Sequence, residues 1–202
     1  MSFSNEKLEE MLSLLVNECT NGYLHFRIWR RINNAFVEMP RKLDQFKVFL
    51  IQTWLAHDQA ALIHLIRLLD RDSKSISVHR LLSVAESNSQ LFKYVPRDHL
   101  LKVIAEHKAK LNDELKDLIS NLKMHRVTYA MHRDEKLLSM PLSEILKSYP
   151  ITRTNIDELY CEAIKIVDTY CQFYDNGERT MDSVIREEDM DWLFRFIDKH
   201  TK

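Results

Sequence analysis

The amino-acid sequence predicts an all-α fold, an up-and-down helical bundle of four to five main helices plus short helices, and three observations carry that prediction. Only two glycines and four prolines occur in 202 residues. Sandwiches, dinucleotide-binding folds and P-loop enzymes need more, because their turns and phosphate cradles use backbone conformations that other residues resist. Apolar residues recur at spacings of three and four along most of the chain, the mark of helices with one buried face. The composition, 45% hydrophobic and 29% charged, is that of a foldable chain rather than a disordered one. A chain of this size buries roughly 70% of its unfolded surface, enough for one core without staples.

The elements follow in order. Ser4 is placed to cap a first helix, with Leu8, Met11, Leu12, Leu15 and Val16 on one stripe. Asn21-Gly22 reads as an interruption, after which Leu24, Ile28, Ile32 and Phe36 resume the period until Pro40 stops it. The most strongly patterned helix spans about Leu43 to Leu69, where Phe46, Phe49, Leu50, Trp54, Ala61, Leu65 and Leu68 recur. A polar turn, Asp70-Arg71-Asp72-Ser73, precedes Ser75-Ile-Ser-Val and a short helix ending near Glu86-Ser-Asn-Ser. Pro96 opens a long helix reaching about Ala130, and Pro141 and Pro150 bracket the short LSEILKSY. Thr154 is placed to cap another long helix, with Ile156, Leu159, Tyr160, Ala163, Ile164, Val167, Tyr170 and Phe173 on its apolar face and Gly177 at its end. Residues 176–202 form a C-terminal tail whose amphipathic piece, Met190 to Ile197, is expected to pack on the same domain as residues 1–175. No repeat of fixed period and no low-complexity tract occurs.

Charge and cysteine usage narrow the function classes. The net charge is −1, whereas a protein that coats nucleic acid is visibly basic because neutralised phosphates supply its affinity. Any nucleic-acid role therefore rests on a local site. Cys19, Cys161 and Cys171 are odd in number and form no C-x-x-C pair, which points to a reducing compartment. The acidic, polar start MSFSNEKLEE is no secretory signal, and QTWLAHDQAALIHLIRLL is broken by Gln, His and Asp, so no membrane span is expected. The expected location is cytoplasmic.

Three clusters of side chains are candidates for chemistry. His57 and His64 lie seven apart on one helix face, but metal-binding helices place ligands at i and i+3 or i+4. They read as satisfied core histidines, His99 and His107 read as surface positions, and no metal or cofactor is expected. Residues 27–42 carry Arg27, Arg30, Arg31, Arg41 and Lys42 with Trp29 and Phe36 interleaved. That pattern suits a phosphate backbone, although a solvated helix face with inward aromatics explains it better. The densest chemistry is Lys123-Met-His-Arg-Val-Thr-Tyr-Ala-Met-His-Arg-Asp-Glu-Lys136. Arg126 and His132 are six apart, roughly 240° round an ideal helix. They converge only if the helix breaks near Ala130 or a second copy of the segment faces the first.

Here the sequence resembles a known family. Arg126-x5-His132, followed by Arg133-Asp134-Glu135-Lys136, resembles the R-x4-6-H signature of the HEPN superfamily, small α-helical domains that often act as ribonucleases. The wider layout is similar to its abortive-infection U branch: Ile28-Trp29-Arg30 in the first helix, Leu-Leu-Asp-Arg at 68–71 before Ser75-Ile-Ser-Val, and the A-x-H-x-D-E-K-like end at 130–136. The resemblance covers about residues 8–175. A second match to the bare pattern, Arg195…His200, lies in the terminal tail and lacks this context. One departure is Val127, where active HEPN ribonucleases commonly carry Asn, Asp or His after the arginine.

The resemblance implies a homodimer that brings two Arg/His pairs to a shared cleft. RNA carries its own nucleophile, the 2′-OH, so cleavage needs a base, an acid and a stabiliser of phosphorane charge. Histidine suits the proton transfers and arginine the phosphate oxygens. His132 is accordingly the expected general base or acid and Arg126 the phosphate binder, with His125, Tyr129, Arg133 and Asp134 as flanking substrate contacts. The implied setting is bacterial phage defence or a toxin–antitoxin system, with an RNA substrate and a restraining antitoxin or regulatory protein. The other expectation is a catalytically inactive HEPN-like dimer that binds a protein or nucleotide.

Overall fold

A computed structural model describes residues 3–129, 147–177 and 188–200, with side chains for all of these except 125–129 and 188–190. Seven α-helices account for most of them: α1 (Asn5–Glu38), α2 (Lys47–Leu68), α3 (Val78–Ser87), α4 (Arg97–Ala109), α5 (Lys116–Tyr129), α6 (Arg153–Asp175) and α7 (Glu188–His200). No strand occurs among the described residues. The fold is an all-α bundle.

α1 is its axis. Ser4 caps it as expected, its hydroxyl accepting from the Lys7 N–H. The expected break at Gly22 is absent, and α1 runs unbroken for 34 residues. No glycine has positive φ, so Gly22 supplies room rather than a turn. A Cβ there would lie 2.5 Å from the Tyr160 hydroxyl and 2.6 Å from the His64 Cβ. α2 runs antiparallel to α1, since Glu18 meets His64, His25 meets His57 and Trp29 meets Trp54. α6 lies antiparallel along another side of α1, where Tyr23 donates to Asp157 and Arg153 to Asn33. It also reaches α2, the Tyr160 hydroxyl donating to the Ala61 carbonyl at 2.5 Å. Near its C-terminal end α6 also meets α4, through His107 against Tyr170 and His99 against Phe173.

Other boundaries move for local reasons. The helix expected from Leu43 starts instead with a 3-10 turn, Asp44–Phe46. α3 is capped by Ser77, which accepts from the Arg80 N–H. The helix expected from Pro96 to Ala130 is interrupted by a π turn, Lys110–Glu114, and Leu111 and Leu115 at this interruption are buried. Thr152, not Thr154, caps α6 in a reciprocal capping box with Asn155. α6 ends with Asn176 in the left-handed conformation, one residue before the expected Gly177. Most of LSEILKSY lies outside the described residues.

The core has two parts. The larger joins α1, α2, α3, α4, α5 and α6 around Leu12, Leu65, Leu81, Ile104, Leu122 and Tyr160. The smaller, Ile32, Ala35, Leu43, Leu50, Phe194 and Ile197, seats α7 against α1 and α2. The basic segment 27–42 helps build this junction. Arg31 pairs with Glu38 and Asp191, Lys42 with Asp198, and Arg30 with Asp157 on α6, while Trp29 is buried. Its aromatics face inward, and Arg30, Arg31 and Lys42 serve as structural ion pairs rather than as a phosphate track.

Candidate functional site

The motif stands on α5. Leu115, Ile119 and Leu122 are buried in the core, and the Asn121 amide donates to the Pro150 carbonyl at 2.9 Å. These contacts fix the first turns of the helix, and the helical backbone continues through His125, Arg126 and Tyr129. Arg126 therefore stands on the backbone of an anchored helix. The side chains of His125, Arg126 and Tyr129 lie outside the described residues, as do His132, Arg133 and Asp134 entirely.

One turn before Arg126, three distant segments converge. Lys123 on α5 and Arg71 after α2 both depress the proton affinity of His79 on α3, and Asp70 raises it. Burial is the larger cause, and together they push the imidazole down to about 4. Its Nε2 is buried with no hydrogen-bond partner among the described residues, so His79 is neutral at pH 7. Asp70 shapes the adjoining turn by accepting from the Asp72 N–H and the Ser75 hydroxyl. Asp70 and Arg71 end the Leu-Leu-Asp-Arg segment, which thus lies beside the helix that carries Arg126. Sequence reading names that segment for resemblance but misses His79, because nothing local in Ser77-Val-His79 points to α5.

The AbiU2 family of HEPN domains matches residues 5–194. The chain belongs to this family. The match begins at the start of α1 and reaches Phe194 on α7, so it takes in both parts of the core of the HEPN domain. No curated protein and no solved structure matches the chain.

A second polar cluster lies in the α1–α2 seam of the HEPN domain. The Nδ1 atoms of His25 and His57 are 2.7 Å apart, so one donates and the other accepts. Two protons on that pair would set N–H against N–H. Burial, and for His25 the neighbouring histidines, lowers the proton affinity of both rings. His64 bonds to Glu18 at 2.6 Å, and Arg67 lies near the same carboxylate. His57 and His64 are thus partnered side chains, as expected. Among the described residues no group of three or more His, Cys, Asp or Glu is arranged to hold a metal ion. His99 is exposed as expected, whereas His107 is buried against Tyr170 and its proton affinity is lowered mainly by that burial. Of the cysteines, Cys19 and Cys171 are buried and Cys161 is exposed. Burial raises the Cys19 thiol far above its usual range. Among the described residues no helix is long and apolar enough to cross a membrane.

Proposed function

We propose that this HEPN domain is a metal-independent ribonuclease of bacterial phage defence or toxin–antitoxin systems, acting in the cytoplasm through a composite Arg126/His132 site at a homodimer interface. The observation that carries the reading is the placement of Arg126 on α5, a helix anchored by Leu115, Ile119 and Leu122, with His132 six residues further on in the sequence. In this mechanism His132 takes the proton from the 2′-OH or returns one to the leaving 5′ oxygen. Arg126 binds the phosphate and offsets charge on the phosphorane. The proton transfers and the charge stabilisation come from side chains, and the nucleophile from RNA itself. His125, Tyr129, Arg133 and Asp134 flank the scissile phosphate, and an antitoxin or regulatory protein restrains the enzyme.

A second copy is supported by α2. From Val48 to His57 the helix has no charged residue, yet Val48, Phe49, Ile51 and Leu55 are exposed, the first two at 78% and 67%. An uncharged exposed stripe of this kind marks an interface. Ile51 and Leu55 lie one turn apart about Thr53, so an antiparallel copy crossing there sets each against the other, as isologous symmetry requires.

The test is cleavage of several RNAs in excess EDTA by the wild type and by His132→Ala. The expected result is cleavage that survives the chelator and falls by about a hundredfold or more in the variant, the usual size of a general acid–base contribution. Absence of cleavage across all RNAs favours the second reading, an inactive HEPN-like dimer binding a protein or nucleotide. Val127 favours that reading, since its side chain offers a phosphate no hydrogen bond.

A further inference from the structure

The loop between α2 and α3 is held by its own polar groups. Asp70 accepts from the Asp72 N–H and the Ser75 hydroxyl, Asp72 accepts from the Lys74 N–H, and the Ser75 N–H donates to the Asp72 carbonyl. Arg80 on α3 braces the same loop, donating to the Ser73 carbonyl at 2.6 Å. Turns of this kind satisfy the backbone locally and fix its path. Both carboxylates of the loop are thereby engaged within it. Arg71 differs from its neighbours. It is exposed, and among the described residues no carboxylate pairs with it. A stiff loop therefore presents a cation that no ion pair of the described fold takes up.

The packing brings this loop to α5. α2 ends on the buried Leu68 and Leu69 directly before the loop, and Leu115, Ile119 and Leu122 seat α5 in the same core. Positions 115, 119, 122 and 126 follow at intervals of four, three and four, so the backbone places position 126 on the stripe that enters the core. Lys123 is three residues before Arg126, a spacing at which helix positions are neighbours. Beyond the effect of burial, Arg71 and Lys123 both lower the proton affinity of His79 on α3, and Asp70 offsets part of their effect. Cations from two separate segments thus meet one turn from Arg126, beside an imidazole that adds no charge of its own.

We propose that Arg71 and Lys123 bind an RNA phosphate adjacent to the one cleaved at Arg126 and His132, so that the strand is held by the α2–α3 loop as well as by α5. A guanidinium forks onto two phosphate oxygens, and an ammonium adds a point charge beside it. Such a contact reads no base, but it sets the register of the strand over the scissile linkage. Holding Arg71 on a loop that is ordered before binding spares part of the ordering cost. An acidic protein would also suit two cations, but their place beside Arg126 favours the substrate. The inference rests on the ribonuclease reading for the identity of the cleaved phosphate, whereas binding is measured without cleavage.

The test uses the full chain and a labelled 2′-O-methyl oligouridylate, which lacks the 2′-OH nucleophile. Arg71→Gln alters one exposed side chain and should leave the circular dichroism spectrum unchanged. It should weaken binding about tenfold, the usual size of a lost charged hydrogen bond, and lower the slope of log affinity against log salt by about one. Arg71→Lys should recover part of the affinity, since it restores the charge without the fork. Lys102→Gln, which removes an exposed cation from α4, should bind like the wild type. Equal binding by Arg71→Gln and the wild type overturns the proposal. So does an equal loss in Lys102→Gln, which would mean that a cation anywhere serves. A wild type that binds no strand also overturns it and points the two cations at an acidic protein instead. Cleavage of ordinary RNA by the wild type, with oligouridylate binding indifferent to Arg71, removes this inference and leaves the ribonuclease reading. Binding that depends on Arg71 without any cleavage does the reverse.

Discussion

At the residue scale, several side chains have partners that their neighbours in sequence do not announce. Gly22 is the plainest: its missing Cβ lets α1 approach Tyr160 and His64 closely. Gly22→Ala should therefore destabilise the fold by about 1–3 kcal/mol, the usual cost of overpacking, with thermal unfolding as the check. A glycine inside a helical pattern has two common uses, interruption and close approach. Only the positions of α2 and α6 decide between them. His79 has a different consequence. Its folded value of about 4 lies below the roughly 6.5 of an unfolded chain. Between those values the unfolded state binds more protons, so stability is full above the upper one and falls as pH drops toward the lower. His25, His57 and His107 are shifted in the same direction. Melting temperature should fall on acidification across this window, and less steeply in His79→Leu than in the wild type. Equal slopes would remove His79 from the account.

At the element scale, the Ser4 cap was readable, whereas the α6 cap, at Thr152 rather than Thr154, and the π turn were not. Ser4 marks its helix start because a hydroxyl satisfies an N–H that the helix leaves orphaned. The π turn at Lys110–Glu114 has no such marker, since neither glycine nor proline occurs there and the apolar period continues through it. The exposure of Phe46 and Phe49 is equally hidden, because periodicity ranks residues by type and cannot say that one flank of α2 lacks a neighbour. α7 depends on a small core, with Phe194 at its centre. Phe194→Ala should remove about 3–5 kcal/mol of packing from that junction. Because α7 is bound at one edge, the loss should appear as local opening. The expected readout is faster proteolysis within 176–200 with α1 to α6 intact.

At the scale of the whole molecule, the family was legible because the segments that carry its layout are local in sequence, whereas the pairing of Arg126 with His132 falls outside the described residues. The Asp70–Arg71, His79 and Lys123 convergence was not legible, since it joins two helices and the turn after α2, whose packing no spacing rule encodes. The near-zero net charge is compatible with an RNA enzyme when positive charge is concentrated locally, as with Lys123, Arg126 and Arg133. The uncharged stripe of α2 has its own whole-molecule consequence. Ile51→Glu/Leu55→Glu should halve the molar mass measured by light scattering without loss of helix content, and an unchanged mass would show that α2 is not the dimer face.

The most direct test of the shared cleft is subunit poisoning. Wild-type protein at fixed concentration is exchanged with increasing Arg126→Ala/His132→Ala protein, and RNA cleavage in EDTA is measured per wild-type chain. If the site is built from two copies, mixed dimers lack a complete Arg/His set and cleavage per wild-type chain falls as the variant is added. Cleavage that stays constant per wild-type chain, with mixed dimers shown to form, would mean that each chain carries a complete site of its own and would contradict the account.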